Sequence, residues 1–113
     1  MNPGEGETRA SLGEFNAAIS ACAGSYAGGA RVLPLLRAMK EAGLAPDART
    51  FNSATYALQK TGRPEQALGV FAAMCVRGVA PNSAGYTAAI AACAATGRWR
   101  RAVALLTEME LRG

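Results

Sequence analysis

A period of about 35 residues runs through this 113-residue chain, and it constrains the fold more than any other feature. Periods of 20 to 50 residues are typical of arrays of stacked structural repeats. The residues that recur at this spacing are Met39, Met74 and Met109, Gly43, Gly78 and Gly113, and the aromatic residues Phe15, Phe51 and Tyr86. One extra residue in the first interval falls within residues 24–27, where we expect a turn. The sequence therefore predicts an irregular extension at 1–11, two complete repeats at 12–47 and 48–82, and a shortened repeat at 83–113.

Each repeat has the apolar pattern of two helices. Apolar residues stand at i, i+3, i+4 and i+7, which places them on one helical face. The first helices carry Phe15, Ala18, Ile19 and Cys22, then Phe51, Ala54, Thr55 and Leu58, then Tyr86, Ala89, Ile90 and Cys93. The second helices carry Val32, Leu33, Leu36 and Met39, then Ala67, Leu68, Phe71 and Met74, then Ala102, Val103, Leu106 and Met109. We expect these faces to form the contacts within and between hairpins.

Glycine and proline separate the predicted helices. Gly62 is placed to end a helix in the left-handed conformation, and Pro64 suits the first position of the next helix. Gly43 and Gly78 end the second helices in the same way, each with a proline three residues later. The 26 alanines favour helix and allow close helix packing. The predicted fold is all-α, a right-handed α-solenoid of stacked helical hairpins with about six helices.

Composition argues against several functional classes. The absence of histidine excludes Ser-His-Asp and Cys-His nucleophiles and most zinc sites. The three cysteines lack metal-ligand spacing. Cys22 and Cys93 occupy equivalent places on the apolar stripes, so they are predicted to be small buried apolar residues. The longest apolar run covers residues 88–95, far short of the ~20 residues that span a bilayer. We expect no enzyme activity, no cofactor, no metal and no membrane-spanning segment.

Several short motifs are typical of one repeat family. They are Phe51-Asn52-Ser53, Thr61-Gly62-Arg63, Ala73-Met74 and Gly78-Val79-Ala80-Pro81-Asn82. Residues 12–113 therefore resemble the pentatricopeptide repeat. The resemblance implies binding of single-stranded RNA, with one base per repeat read by two or three side chains. It also implies a mitochondrial or chloroplast location, although the sequence shows no transit peptide.

The resemblance implies which residues read the bases. The predicted pairs are Asn16 with Asp47 and Asn52 with Asn82, while Thr87 stands alone in the third repeat. Their implied preference is 5′-U-C/U-purine-3′. Two further residues are implied to contact RNA, Arg49 by stacking on a base and Lys60 at the backbone.

A structural interpretation of the same residues also stands. Asp47 and Asn82 precede helices, where Asp and Asn are favoured as N-caps. Asn16, Asn52 and Thr87 are equally compatible with solvated positions near helix starts. The net charge of +4 is modest, and most cations fall on the second helices or turns. Since phosphate neutralisation supplies much of nucleic-acid affinity, the sequence predicts a weakly basic RNA surface.

A cluster of Arg98, Trp99, Arg100 and Arg101 offers an alternative function. Trp and Arg are common interface hot spots, so the cluster is a candidate docking site for a protein partner. The alternative is that Trp99 covers the start of its helix while the arginines are solvated. The apolar stripe of the last predicted helix, with Val103, Leu106 and Met109, has no following helix to pack against. We therefore expect further repeats or a partner protein to cover the ends of the stack. The second hypothesis is thus a structural subunit of a large organellar assembly, such as a ribosome or a membrane energy or photosynthetic complex.

Overall fold

The computed structural model describes residues 9–112, and these form an all-α fold. Helices α1 (Leu12–Ala21), α3 (Val32–Glu41), α4 (Ala48–Lys60), α5 (Pro64–Val76), α6 (Ser83–Ala95) and α7 (Trp99–Arg112) are the six main helices. A 3₁₀ turn (Cys22–Gly24) and the single-turn helix α2 (Tyr26–Gly29) separate α1 from α3. No strand occurs within residues 9–112. The all-α prediction is confirmed.

The helices form three hairpins that stack along one direction. Helix α4 packs against α1, α5 and α6, and α6 packs against α7. The molecule measures 58 × 29 × 18 Å, which is the elongated shape expected when each hairpin touches only its neighbours. The fully buried side chains include Ile19, Met39, Leu58 and Met74. Fully buried Ala54 lets the helices approach closely.

Glycines end the helices as the sequence predicts. Gly43, Gly62, Gly78 and Gly97 all have φ between +73° and +80°. At these angles an L side chain is strained, whereas glycine is not. Pro64 occupies the first turn of α5. The local sequence thus fixes both where each helix stops and where the next one starts.

The extra residue of the first repeat lies in a segment that is more ordered than a simple turn. The 3₁₀ turn follows α1, and the Ser25 side chain then accepts a hydrogen bond from the Gly28 backbone N–H at 3.1 Å. A side chain at Gly29 would collide with Thr61 and Arg63 of the second repeat. Tyr26 is exposed, with the Arg63 guanidinium 4.2 Å from its ring centroid. Helix α1, which precedes this segment, has 10 residues, whereas α4 and α6 have 13 each.

The predicted buried stripe of α7 is partly wrong. Val103 and Leu106 are 55% and 49% exposed, whereas Leu105, which the pattern left out, is only 6% exposed. The reason is visible one repeat earlier, where Phe71 stands at the position of Leu106. Phe71 is buried because Tyr86 of the next hairpin packs edge-on against it, with ring centroids 6.0 Å apart. No described residue packs against α7 in the corresponding way.

Candidate nucleic-acid interface

The two members of the second predicted reading pair are in direct contact at the junction between α4 and α6. Asn52 Oδ1 accepts a hydrogen bond from the Asn82 backbone N–H at 3.2 Å. Asn52 Nδ2 donates to the Ala48 carbonyl at 2.8 Å, and Asn82 Oδ1 accepts from the Gly85 N–H at 2.8 Å. Asn82 is therefore the N-cap of α6, as the structural interpretation predicts. The cap leaves Asn82 Nδ2 with no acceptor among residues 9–112.

A pocket of about 370 Å³ opens at this junction. Its volume lies in the range typical of ligand sites. Its lining residues are Ser20, Arg49, Asn52, Ser53, Tyr56, Asn82 and Ala84. Arg49 is exposed near the start of α4, and Ala84 holds the corresponding place on α6. The predicted stacking residue and the second reading pair thus share one cavity.

The first predicted pair is also in contact, through a denser hydrogen-bond network. Asn16 is 3% exposed, and its Nδ2 donates to Asp47 Oδ1 at 3.3 Å. The Thr50 hydroxyl is within hydrogen-bond distance of Asn16 Oδ1, at 2.5 Å, and of Asp47 Oδ1, at 2.8 Å. The Thr50 backbone N–H also donates to Asp47 Oδ1, at 2.9 Å, which makes Asp47 the N-cap of α4. Asp47 Oδ2 has no donor among residues 9–112.

These hydrogen bonds favour the ionised form of Asp47 at the first junction. Donation from the Thr50 backbone, followed in importance by its hydroxyl, lowers the pKa of Asp47 below its ordinary value. Asp47 is exposed and ionised at neutral pH, so it presents a carboxylate at the junction. The first junction therefore offers an acceptor, whereas the second offers an amide with free N–H groups.

Two residues that hold these pairs in place are missing from the predicted site. Thr50 is fully buried and connects Asn16 to Asp47. Gly85 is its counterpart in the third repeat, and a side chain there would collide with Asn52 Oδ1. Both precede the opening aromatic residue of their repeat. Thr50 and Gly85 stand at the same position of their repeats, which is a reason to compare them. Because one is a hydroxyl residue and the other is glycine, the sequence does not show that both hold a reading pair in place.

The predicted backbone contact, Lys60, lies on the same helix as the pocket. Its Nζ donates to the Tyr56 hydroxyl at 3.2 Å and lies 5.5 Å from that ring centroid. Tyr56 is 39% exposed and lines the pocket, so it is a further aromatic residue that sequence reasoning did not assign to a site. Thr87 is exposed on α6. Its hydroxyl has no hydrogen-bond partner among the described residues.

The residues of the basic cluster near the start of α7 have two different surroundings: Arg98 pairs with a carboxylate, whereas Trp99, Arg100 and Arg101 are exposed. Arg98 forms two hydrogen bonds with the Glu65 carboxylate, at 3.0 and 3.2 Å, and the nearby carboxylate raises the pKa of the guanidinium. Trp99 is 65% exposed, with the Arg100 guanidinium 5.1 Å from its ring. Arg100 and Arg101 are exposed and line the same shallow depression as Trp99. The structure therefore uses Arg98 to connect two repeats and leaves an exposed Trp-Arg surface beside it.

Stacked helical hairpins that each contact only their neighbours define a helical-repeat protein. A family model described as "Pentacotripeptide-repeat region of PRORP" matches residues 9–112. The chain belongs to this pentatricopeptide-repeat family, which confirms the sequence resemblance. A search of curated proteins finds no match.

Metal-binding groups and membrane-spanning helices were also sought among the described residues. No group of three or more Cys, Asp or Glu within residues 9–112 is arranged to hold a metal ion. Every helix in that range is too short or too polar to cross a membrane. Cys22 and Cys93 are buried, as their positions on the apolar stripes predict.

Proposed function

We propose that this chain is a non-enzymatic module that binds single-stranded RNA and receives one base at each junction between first helices. The observation that carries the proposal is the pocket that Arg49, Asn52, Asn82 and Ala84 share. It combines hydrogen-bonding groups with a cation that is able to stack on a base. Unpaired bases have both a flat face and an accessible Watson–Crick edge, which is the chemistry that such a pocket suits.

The polar atoms left over at each junction support the proposed base preferences. At the second junction, Asn82 Nδ2 and the second hydrogen of Asn52 Nδ2 are donors that the protein does not use. These donors fit the O2 and N3 acceptors of cytosine, or a carbonyl of uracil. At the first junction, the Asp47 carboxylate only accepts, so it fits the N3–H of uracil. With the Thr87 hydroxyl assigned to a purine, the proposed order is 5′-U-C/U-purine-3′.

Stacking and charge complete the proposed RNA contacts. We assign the Arg49 guanidinium, which lines the pocket, to stack on the bound base, where arginine adds a cation–π contribution. We assign Lys60, the last residue of α4, to a phosphate of the same RNA. Because only these two cations stand on α4 and none on α6, we expect modest affinity with a shallow salt dependence.

Fluorescence anisotropy with labelled RNA tests the proposal. A ten-nucleotide cytosine RNA with one central U-C-A is compared with the same bases rearranged so that the uracil follows the adenine, and with the DNA equivalent of the first. The proposal predicts tighter binding to the U-C-A RNA and a loss of that preference in Asn82→Ala. Equal, salt-sensitive binding to all three would contradict it.

A second candidate function rests on the exposed Trp-Arg surface. Trp99, with Arg100 stacked on it, and the exposed Leu106 on the same helix form an apolar and basic surface. We propose on this basis that the chain alternatively acts as a structural subunit that docks on proteins of a large organellar assembly, a ribosome or a membrane energy or photosynthetic complex. Purification from native material under mild conditions tests it. Recovery solely as a free monomer would contradict it.

The family resemblance supports a mitochondrial or chloroplast location for either function. Imaging of the full-length protein fused at its C-terminus to a fluorescent protein tests this location. Signal that overlaps neither organelle marker would contradict it.

A further inference from the structure

An apolar groove of about 680 Å³ lies at the first repeat junction, on the side formed by the second helices. Its walls include Leu33 and Leu36 of α3 and Val70 of α5, and Phe51 of α4 closes it from below. Leu33 and Leu36 are half-buried. This site is separate from the proposed RNA pocket, which lies between the first helices. Both sites include residues of α4, but no residue lines both of them.

The groove stays open because α5 presents small residues to it. Gly69 and Ala73 line the groove, and a side chain at Gly69 would meet no atom within 4 Å. At the second junction, α7 carries Ala104 and Glu108 at the equivalent positions. Helix α3 also touches α4 only sparsely, whereas α5 packs closely on α6. The two junctions therefore have the same arrangement of helices, but side chains pack less closely at the first junction than at the second.

The second junction shows what the groove lacks. There, Glu108 Oε1 accepts a hydrogen bond from the Tyr86 hydroxyl at 2.9 Å and lies 3.4 Å from Arg112 Nε. Arg77 is the counterpart of Arg112, but Ala73 stands where Glu108 would be. No carboxylate within residues 9–112 forms an ion pair with Arg77. The first junction has the cation without the anion.

A second cation reinforces this difference. Lys40 lines the same end of the groove as Arg77. Its counterpart at the second junction is Cys75, whose pKa is raised by burial and by the nearby charge of Glu108. Since Cys75 lies near the Glu108 carboxylate, the equivalent residue Lys40 lies near the place where a carboxylate would stand at the first junction. The Arg77 guanidinium is 5.6 Å from the Phe51 ring centroid, so the cation borders the apolar floor.

We propose that this groove binds a linear aliphatic carboxylate, with its chain along Leu33 and Leu36 and its carboxylate between Lys40 and Arg77. Leu33 and Lys40 stand seven residues apart on α3, which is a rise of about 10 Å. An extended octanoate chain matches that length. The charge complements the two cations, and no acidic residue lines the groove. The proposal is independent of RNA binding.

Isothermal titration of the 113-residue chain with hexanoate, octanoate and decanoate, all below their micellar concentrations, tests the site. One octanoate should bind per chain. Each added methylene should tighten binding about fourfold while it enters the groove and have little effect once the groove is full. Octanol and octylammonium, which have the same chain without the anion, should bind at least tenfold more weakly. Octanol binding as tightly as octanoate would overturn the proposal.

Three variants assign the binding to this groove. Ala73→Glu introduces the carboxylate that the second junction has, so it should abolish octanoate binding while circular dichroism shows unchanged helicity. Arg77→Gln should weaken octanoate at least tenfold and leave octanol unchanged. Arg112→Gln is the matched control at the second junction and should bind octanoate as the parent chain does. Unchanged binding in Ala73→Glu, or an equal loss in Arg112→Gln, would overturn the proposal.

The oligomeric state gives a further check. Sedimentation of the unliganded chain at the titration concentration should show a monomer with an accessible groove. A dimer that octanoate does not dissociate, together with absent octanoate binding, would show that a second copy occupies the groove and would overturn the proposal.

Discussion

Asn52 Oδ1 accepts a hydrogen bond from the backbone N–H of Asn82 at 3.2 Å, so the two members of this pair are connected across a repeat boundary. The same contact attaches the start of α6 to α4. The side chains proposed to read a base therefore also hold adjacent hairpins together. Variants at this junction must be judged by stability and by RNA affinity together.

Gly85→Ala should destabilise the protein even though alanine favours helix. The added Cβ would collide with Asn52 Oδ1, and such overpacking costs about 1–3 kcal/mol. Urea denaturation followed by circular dichroism measures the change. Gly69→Ala is the matched control, because it has open space and a helical position, and it should stabilise by about 0.5–1 kcal/mol. A stabilised Gly85→Ala would show that Asn52 moves aside at no cost.

Exchange of the partner residues should exchange base preference. Asn82→Asp makes the second pair resemble the first and should favour uracil over cytosine by about tenfold, since an added acceptor pairs with the uracil N3–H and opposes cytosine N3, a difference near 1.4 kcal/mol. Asp47→Asn is the reciprocal variant and should relax the uracil preference at the first base. Anisotropy with RNAs that differ at one base measures both. Identical base profiles for the parent chain and both variants would remove the reading role.

The stability of the chain should depend on pH through Asp47. Because the folded state lowers the pKa of this carboxyl, its stabilising contribution is complete above the ordinary value of 3.8 and is lost as the pH falls through the lower folded pKa. Asp47→Asn keeps an N-cap but removes the titrating group. Urea midpoints measured at several values between pH 7 and pH 2.5 should therefore fall more steeply for the parent chain than for Asp47→Asn. Parallel curves would contradict the assignment.

Adjacent leucines of α7 should respond very differently to truncation. Leu105 is 6% exposed and Leu106 is 49% exposed. Leu105→Ala should cost at least about 2 kcal/mol, as buried leucines usually do. Leu106→Ala should cost less than about 1 kcal/mol, because about half of its surface already faces solvent. The two urea midpoints give the comparison, and equal losses would indicate that another surface covers Leu106 in solution.

Much of the fold follows from the repeat pattern alone. Periodic apolar residues predict the six main helices, and Gly43, Gly62 and Gly78 predict their ends because only glycine takes that backbone conformation without strain. Burial along α7 was not predictable from the same pattern. An apolar residue in a solenoid is buried only when a neighbouring hairpin covers it, and the sequence of one helix does not contain that information.

The candidate site also combines features that the sequence predicts with features that it does not. The family resemblance implied the pairs Asn16 with Asp47 and Asn52 with Asn82, and in the structure the two members of each pair are in contact. The roles of Thr50 and Gly85 depend instead on atoms across the repeat boundary. The groove between α3 and α5 likewise results from the small residues Gly69 and Ala73 on α5 and from the sparse contact of α3 with α4. These features require three-dimensional positions that spacing along the chain does not supply.

The capping role of Asp47 and Asn82 restricts which substitutions could change the proposed base preference without weakening a helix. Each side chain closes the first turn of the following helix, at α4 and at α6. Only Asp, Asn, Ser and Thr combine strong N-capping with side-chain hydrogen bonding. Only four side chains therefore keep such a cap at these positions, and any other residue would leave the first turn of α4 or α6 without its side-chain hydrogen bond.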